Sequence, residues 1–258
     1  MVGSLLMRGM LIGVLAGLVA FGFARIFGEP QVDLAIAFEE QMAATEAAQA
    51  PAGDQPAMEE TDEGLPGRGT QAGLGLITGL VVYGAAVGGI FALVFAFAYG
   101  RLGAIGARGL SAVLALAAFA SVVLVPLLKY PANPPAVSLD ETIGARTTLY
   151  FVLLVLSVGG MALAFALARR LLAQHGTWNA TLIASAAYVA FITVVLIAMP
   201  TINEMPAGFS PDVLWNFRIS SVGIQIIIWA VIGLGFGVLA ERVLGEFRGS
   251  ARLAGSYR

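Results

Sequence analysis

The chain has 258 residues, of which 59% are hydrophobic and 12% charged, and its mean hydropathy is +0.87. Soluble domains carry about 25% charged residues, so this composition excludes an ordinary soluble globular domain. The formal net charge is −2, and we expect no nucleic-acid partner because a basic excess is missing. The chain contains no cysteine, which excludes both a disulfide framework and a thiolate metal site.

Six stretches of the sequence contain no Asp, Glu, Lys or Arg: 9–24, 69–100, 109–128, 147–168, 171–203 and 219–240. A helix needs roughly 20 apolar residues to cross a bilayer core about 30 Å thick. These runs are apolar on every side, whereas the strands of a membrane barrel alternate apolar and polar residues. The sequence therefore predicts an all-α polytopic bundle of six transmembrane helices in one membrane domain, with spans at about 5–27, 72–100, 109–128, 147–169, 178–200 and 218–241.

Basic residues are distributed unevenly between the two sides of the predicted bundle. One side holds nine of them: Arg8, Arg101, Arg108, Arg169, Arg170, Arg242, Arg248, Arg252 and Arg258. The other side holds five, namely Arg25, Arg68, Lys129, Arg146 and Arg218, together with most of the acidic residues. The positive-inside rule then predicts a multi-pass membrane protein with both termini in the cytoplasm and the acidic loops outside. Residues 1–27 are interpreted as a retained first helix rather than a signal peptide, because no small-x-small cleavage site precedes Gly28.

Two of the external connections resemble each other. Segments 129–146 and 200–218 each contain Pro, Asn and Pro in the same order and end with an Arg that opens the next helix. This similarity indicates three helical-hairpin repeats, the alternative being a chance match in a sequence of low diversity.

The first external segment, 29–68, is an acidic loop. Its beginning predicts a short helix at 30–42, because Pro30 suits a first helical position. Residues 43–66 are rich in Ala, Gln, Glu, Pro and Gly and lack aromatic residues, so we expect them to be disordered.

Carboxylate and amide side chains gather near the predicted outer surface, and they are the candidate metal ligands of this sequence: Glu29, Asp33, Glu39, Glu40, Asn133, Asn203 and Glu204. Such groups attract and bind cations. The alternatives are a mouth that only concentrates cations and simple ion pairs with Arg25, Arg68, Arg146 and Arg218. The sequence offers one histidine, His175, in a predicted turn, and no catalytic constellation. We therefore expect no enzymatic activity and no bound cofactor.

Several blocks of the sequence resemble the CbtA family, the predicted cobalt transporter membrane subunit of bacteria. They are segments 4–10, 23–30, 35–40, 129–135 and 212–215 and the pair Asn203-Glu204. The resemblance implies a component of cobalt uptake linked to cobalamin biosynthesis, with cobalt(II) as the transported cation. It also implies a partner, the small single-span and histidine-bearing subunit CbtB. The family is often described with five spans, whereas this sequence predicts six.

The leading hypothesis is thus a permease subunit for a divalent transition metal. Cobalt(II) favours imidazole nitrogen over carboxylate, so a histidine-bearing partner would supply what this chain lacks. One rival is a membrane scaffold that transports nothing, and another is a permease for a different solute such as nickel. The sequence leaves the energy source and the oligomeric state open.

Overall fold

The computed structural model describes residues 1–49, 67–103, 105–137, 140–202 and 204–255. Five long helices account for most of them: α1 (Val2–Gln49), α2 (Arg68–Ala98), α3 (Ala107–Lys129), α4 (Asp140–Ala198) and α5 (Pro211–Gly255). Each contains a stretch that is long and apolar enough to cross a membrane. The protein is a multi-pass helical membrane protein, as the sequence predicts.

Helix α1 continues far beyond its predicted membrane span. Its 48 residues give a length of roughly 72 Å at 1.5 Å per residue, more than twice the hydrocarbon thickness. A π-helical turn at Ala24–Gly28 joins the membrane part to the outer part without a break. The helix predicted for 30–42 therefore ends at Gln49, and residues 43–49 are helical because Ala, Glu and Gln favour the helix. The rest of the segment predicted to be disordered, 50–66, lies outside the described residues.

Helix α4 is a hairpin of two antiparallel limbs, 140–175 and 177–198. Its regular geometry is interrupted at Gly176, where φ is 70° and ψ is 169°. The Ser157 hydroxyl lies 2.8 Å from the Tyr188 hydroxyl, although 31 residues separate them in the sequence. Leu153 and Ile192 pack in the same way within one buried cluster. The chain therefore reverses direction at Gly176, within the turn that the sequence predicts around His175.

Helices α1 and α2 lie in close contact along a stripe of glycines. A Cβ atom added at Gly13 would overlap the carbonyl oxygen of Gly84, and one added at Gly9 would overlap that of Gly88. Small residues at four-residue spacing let helix backbones approach closely in lipid, where no hydrophobic effect drives helices together. The glycine stripe therefore fixes the relative position of the first two helices.

An aromatic cluster joins α2 to α5 on the other side of this contact. The Phe236 ring meets Phe91 and Phe95 edge to face, with centroids 5.5 and 5.1 Å apart. The Ser111 hydroxyl of α3 donates a hydrogen bond of 2.6 Å to the Gly233 carbonyl of α5. Helix α4 is less extensively packed against the other helices. Its main contact is with the end of α3, residues 119–129.

Large apolar side chains cover the outside of the bundle. Ile197 is 79% exposed, Leu163 and Phe97 are 71% exposed, and Val155 is 70% exposed. A soluble monomer rarely shows contiguous apolar surface of this kind. These side chains face the hydrocarbon of the bilayer, which is therefore in direct contact with the protein.

Candidate functional site

The candidate site lies where the connection after α3 meets the connection after α4, at the end of the bundle that the sequence predicts to face outward and that is called the outer end below. Glu204 is buried there, and both of its carboxylate oxygens accept hydrogen bonds. Oε2 accepts from Arg146 Nη1 at 2.8 Å and from Asn133 Nδ2 at 3.0 Å, and Oε1 accepts from the Thr142 hydroxyl. The second guanidinium nitrogen of Arg146 donates to the Pro131 carbonyl. This network ties both connections to the start of α4.

A second arginine completes the network from α5. Arg218 Nη2 donates to Asn133 Oδ1 at 3.0 Å, and its Nε donates to the Ala132 carbonyl at 3.3 Å. Asn133 thus connects Glu204 to Arg218, while its Nδ2 also donates to the Val137 carbonyl at 3.2 Å. Among the described residues of this network, two guanidinium groups meet one carboxylate.

The local sequence explains why this connection presents Asn133. Pro131 and Pro134 flank the segment, and the residue before a proline is restricted to extended conformations. The chain therefore runs without helix until the turn at Ala136, whose φ is 67°. The carbonyl groups of an extended segment are not engaged in helical hydrogen bonds. Those of Pro131 and Ala132 accept hydrogen bonds from Arg146 and Arg218 instead.

A separate pair of carboxylates lies where α1 leaves the membrane. Glu29 and Asp33 are four residues apart, so they share one face of α1. Arg68, the first residue of α2, donates to Asp33 Oδ1 at 3.0 Å and to Glu29 Oε2. The Glu29 side chain is 9% exposed and that of Asp33 58%. This contact joins the outer part of α1 to the beginning of α2.

The structure therefore places the seven predicted site residues in different surroundings. Asn133 and Glu204 are brought together, and so are Glu29 and Asp33. Glu39 and Glu40 lie exposed further along α1, and Asn203 lies outside the described residues. The ion pairs that the sequence left open for Arg68 and Arg146 are present. The hydrogen bond from Thr142 to Glu204 was not predicted, because nothing in the sequence spacing connects these two residues.

Direct metal binding by these groups would require other contacts to break. A cation at Glu204 has to displace Arg146, and one at Glu29 has to displace Arg68. Within the part of the chain that the structure describes, no group of three or more His, Cys, Asp or Glu side chains is placed to hold a metal ion.

Two cavities open beside the outer network. The smaller, of about 120 Å³, is lined by Glu204, Asn133 and Arg218 among others. The larger, of about 570 Å³, extends inward between α2, α3, α4 and α5. Tyr130 and Arg146 line both cavities, so the two spaces adjoin each other.

Tyr130 fixes the wall between the two cavities. Its hydroxyl donates a hydrogen bond of 2.8 Å to the Pro200 carbonyl, which closes the two outer connections onto each other. Burial raises the pKa of the Tyr130 phenol above its ordinary value, because the phenolate would lose its hydration. The hydroxyl therefore keeps its proton and remains a donor at neutral pH.

Polar groups continue inward along α5. Gln225 and Trp229 lie one helical turn apart, and Gln225 lines the larger cavity. The Gln225 Oε1 and Trp229 Nε1 atoms are buried and have no hydrogen-bond partner among the described residues. Buried polar atoms are nearly always paired in native proteins, so an unpaired one calls for an explanation.

Comparison with known proteins identifies one family. The family model CbtA, described as "Probable cobalt transporter subunit (CbtA)", matches residues 2–241. No curated protein and no solved structure matches the chain. The match covers α1 to α4, α5 as far as residue 241, and both connections that form the outer network. The chain belongs to the CbtA family of probable cobalt transporter subunits.

Proposed function

We propose that this chain is the membrane permease subunit of an uptake system for a divalent transition metal, with cobalt(II) as the transported ion. The observation that carries the proposal is the family match over 2–241 on a multi-pass helical bundle. The word "subunit" in the family description supports a partner. The proposed partner is a small histidine-bearing subunit of the CbtB type, because cobalt(II) favours imidazole and this chain has a single histidine, His175.

The proposed topology has six spans in the bacterial inner membrane with both termini in the cytoplasm. Two observations support it. The two limbs of α4 are antiparallel, so each can cross the membrane once. In addition, Arg8 near the start of α1 donates to the Leu239 carbonyl of α5 at 3.2 Å, as expected if the chain enters and leaves the bundle at the same end. These observations support an even number of crossings, which we propose to be arranged as three helical hairpins.

Metal binding by the seven outer residues remains a prediction within this proposal. Glu39 and Glu40 test it most cleanly, because they are exposed and their replacement breaks none of the ion pairs described above. If the outer carboxylates collect cations, the double variant Glu39→Gln/Glu40→Gln lowers cobalt uptake several-fold at low ionic strength and less at high ionic strength. Unchanged uptake at both ionic strengths, measured with radioactive cobalt, would show that Glu39 and Glu40 do not collect cations for uptake.

The proposed function is tested by uptake in cells. A strain without its own cobalt importers is made to express this chain, the partner, or both, and the accumulation of radioactive cobalt is measured with and without excess nickel. The proposal predicts accumulation with both proteins and little competition from nickel. Equal accumulation in cells with and without the chain, while the protein is present in the membrane, would overturn it. Unlabelled cobalt is added as a second competitor in a parallel measurement. If nickel lowers the accumulation of radioactive cobalt more than unlabelled cobalt does, the transported metal would be assigned as nickel.

A further inference from the structure

The two adjoining cavities at the outer end of the bundle have an unusual lining for a protein that moves a dication. Among the described residues that line the smaller cavity, three are basic, Lys129, Arg146 and Arg218, and one is acidic, Glu204. Among the described residues that line the larger cavity, the one with a formal charge is again Arg146, which is paired with Glu204. A cleft with an excess of one charge and walls of low dielectric concentrates ions of the opposite charge. The described lining of the smaller cavity therefore favours an anion, and the larger cavity beside it adds space.

The single carboxylate is already engaged. Glu204 accepts hydrogen bonds on both oxygens and pairs with Arg146, so it cannot offset Arg218 as well. Arg218 makes its described hydrogen bonds to neutral oxygens, those of Ala132 and Asn133. The uncompensated guanidinium repels a hydrated dication and attracts a carboxylate, which it can bind through two parallel hydrogen bonds.

The larger cavity also provides neutral hydrogen-bonding groups. The side chains of Tyr83, Tyr150, Thr147 and Ser221 line it and bring hydroxyl groups. Gln225 adds an oxygen that is buried and has no partner among the described residues. A water or hydroxyl group coordinated to a metal would donate to this oxygen, which explains an otherwise costly unpaired acceptor.

The size of the larger cavity points in the same direction. Its volume of about 570 Å³ lies within the range of small-molecule sites, roughly 300–1,000 Å³. A bare ion would instead need a compact set of ligands, and the described residues contain no cluster of His, Cys, Asp or Glu that could form one. A metal that arrives already bound to an organic ligand would explain both observations. The ligand would fill the cavity, and the protein would not need its own cluster of metal-binding side chains.

We propose that these cavities receive the metal as an anionic, oxygen-rich chelate of the polycarboxylate class, and not as a hydrated dication. Arg218 binds the carboxylates of the chelate, and Gln225 accepts a hydrogen bond from a group coordinated to the metal. The inference rests on the proposed function and specifies the form in which the substrate is bound.

Calorimetric titration of the purified full chain in detergent tests this inference. The probes are a preformed 1:1 cobalt(II)–citrate complex, cobalt(II) chloride and citrate alone. The complex is expected to bind at least tenfold more tightly than either component. Tighter binding of cobalt(II) chloride, equal binding of citrate alone, or no binding of the complex to a folded and monodisperse protein would each overturn the inference.

Two variants and a control assign the binding to these side chains. Arg218→Gln and Gln225→Leu are each expected to weaken binding of the complex at least tenfold. Gln225→Leu is informative even if Arg218→Gln fails to fold, because the Gln225 oxygen has no described partner to lose. Arg169→Gln, an exposed position beside the turn of the α4 hairpin, is the matched control and should bind like the unmodified chain. Unchanged binding in folded Gln225→Leu would contradict the proposed site.

Transport into vesicles separates this inference from the proposed function. The chain and its partner are reconstituted, and radioactive cobalt is offered either as chloride or as the citrate complex. Uptake from the complex at a rate at least several-fold higher than from chloride supports the inference. Uptake from chloride alone overturns the inference and leaves the proposed function standing, whereas uptake from neither form contradicts both.

Discussion

Glu204 and Arg146 lie 58 residues apart in the sequence and form a buried ion pair of 2.8 Å. The side chains are 2% and 19% exposed, so water screens this pair little. A buried pair contributes little net stability when it is complete, but loss of one member leaves the other charge buried without compensation. The pair therefore acts as a fastening between the connection after α4 and the start of α4.

Replacement of Glu204 by Ala should destabilise the protein by about 3 kcal/mol or more, because Arg146 would remain buried with no carboxylate. The measurement is thermal or denaturant unfolding of the purified protein in detergent. Glu241→Ala provides the control, since Glu241 pairs with Arg108 at 2.7 Å but both side chains are more than half exposed. An exposed pair is worth less than about 1 kcal/mol. Equal losses in the two variants would contradict the role of Glu204 as a fastening.

The sequence could select the residues of this network but not their partners. Asn133, Glu204, Arg146 and Arg218 all follow from their places beside predicted spans, and both metal binding and ion pairing were open for them. The choice between these roles depends on which guanidinium reaches which carboxylate across the bundle. Spacing along one chain does not contain that information, and for the same reason the unpaired Gln225 oxygen could not be foreseen.

The contact of α1 with α2 depends on glycine at single positions. Gly9, Gly13 and Gly17 form one stripe in the sequence, and the structure places them against the backbone of α2. Because the opposing atoms are backbone carbonyl groups, they cannot rotate away as a flexible side chain would. Any added Cβ must therefore push the two helices apart.

Gly13→Ala should destabilise the protein by at least about 2 kcal/mol, as overpacking in a close contact does. Gly22→Ala is the matched control, because it lies in the same helix and a Cβ there would meet nothing within 4 Å. Unfolding measured in the same detergent should show little change for the control. Similar stability of the two variants would mean that the close helix contact is not present in the membrane protein.

The α4 hairpin depends on the backbone conformation of Gly176. Its φ of 70° and ψ of 169° fall in a region that is essentially restricted to glycine. Gly176→Ala should therefore cost about 1–3 kcal/mol. Gly159→Ala, in the helical part of the same hairpin with open space around it, should cost nothing or stabilise slightly. Protease susceptibility of the turn measures the effect, and equal susceptibility of the two variants would argue against a reversal at Gly176.

The helices themselves could be predicted because charge-free runs of this length leave few alternatives in a bilayer. Their irregular parts could not. The π-helical turns at Ala24–Gly28, Gln71–Gly75 and Phe119–Leu124 have no signal in hydrophobicity, since each extra residue is accommodated by packing against a neighbour. The extension of α1 to Gln49 was missed because its Ala-rich composition reads equally well as a flexible loop.

The bundle as a unit combines a tightly packed part with a loosely attached one. Helices α1, α2, α3 and α5 share one apolar core, whereas α4 contacts the bundle mainly through residues 119–129. The two adjoining cavities lie between these parts. At the outer end, Asn133 and Arg146 hold Glu204 in place beside these cavities.

The most direct test of this account is radioactive cobalt uptake into vesicles that contain the purified chain, with and without the proposed histidine-bearing partner, with the cobalt supplied both as chloride and as the citrate complex. The account predicts uptake that requires this chain and rises in the presence of the partner. Vesicles with the partner alone should remain near background. Background uptake in every condition, with folded and correctly inserted protein, would contradict the assignment of this bundle as the path for cobalt.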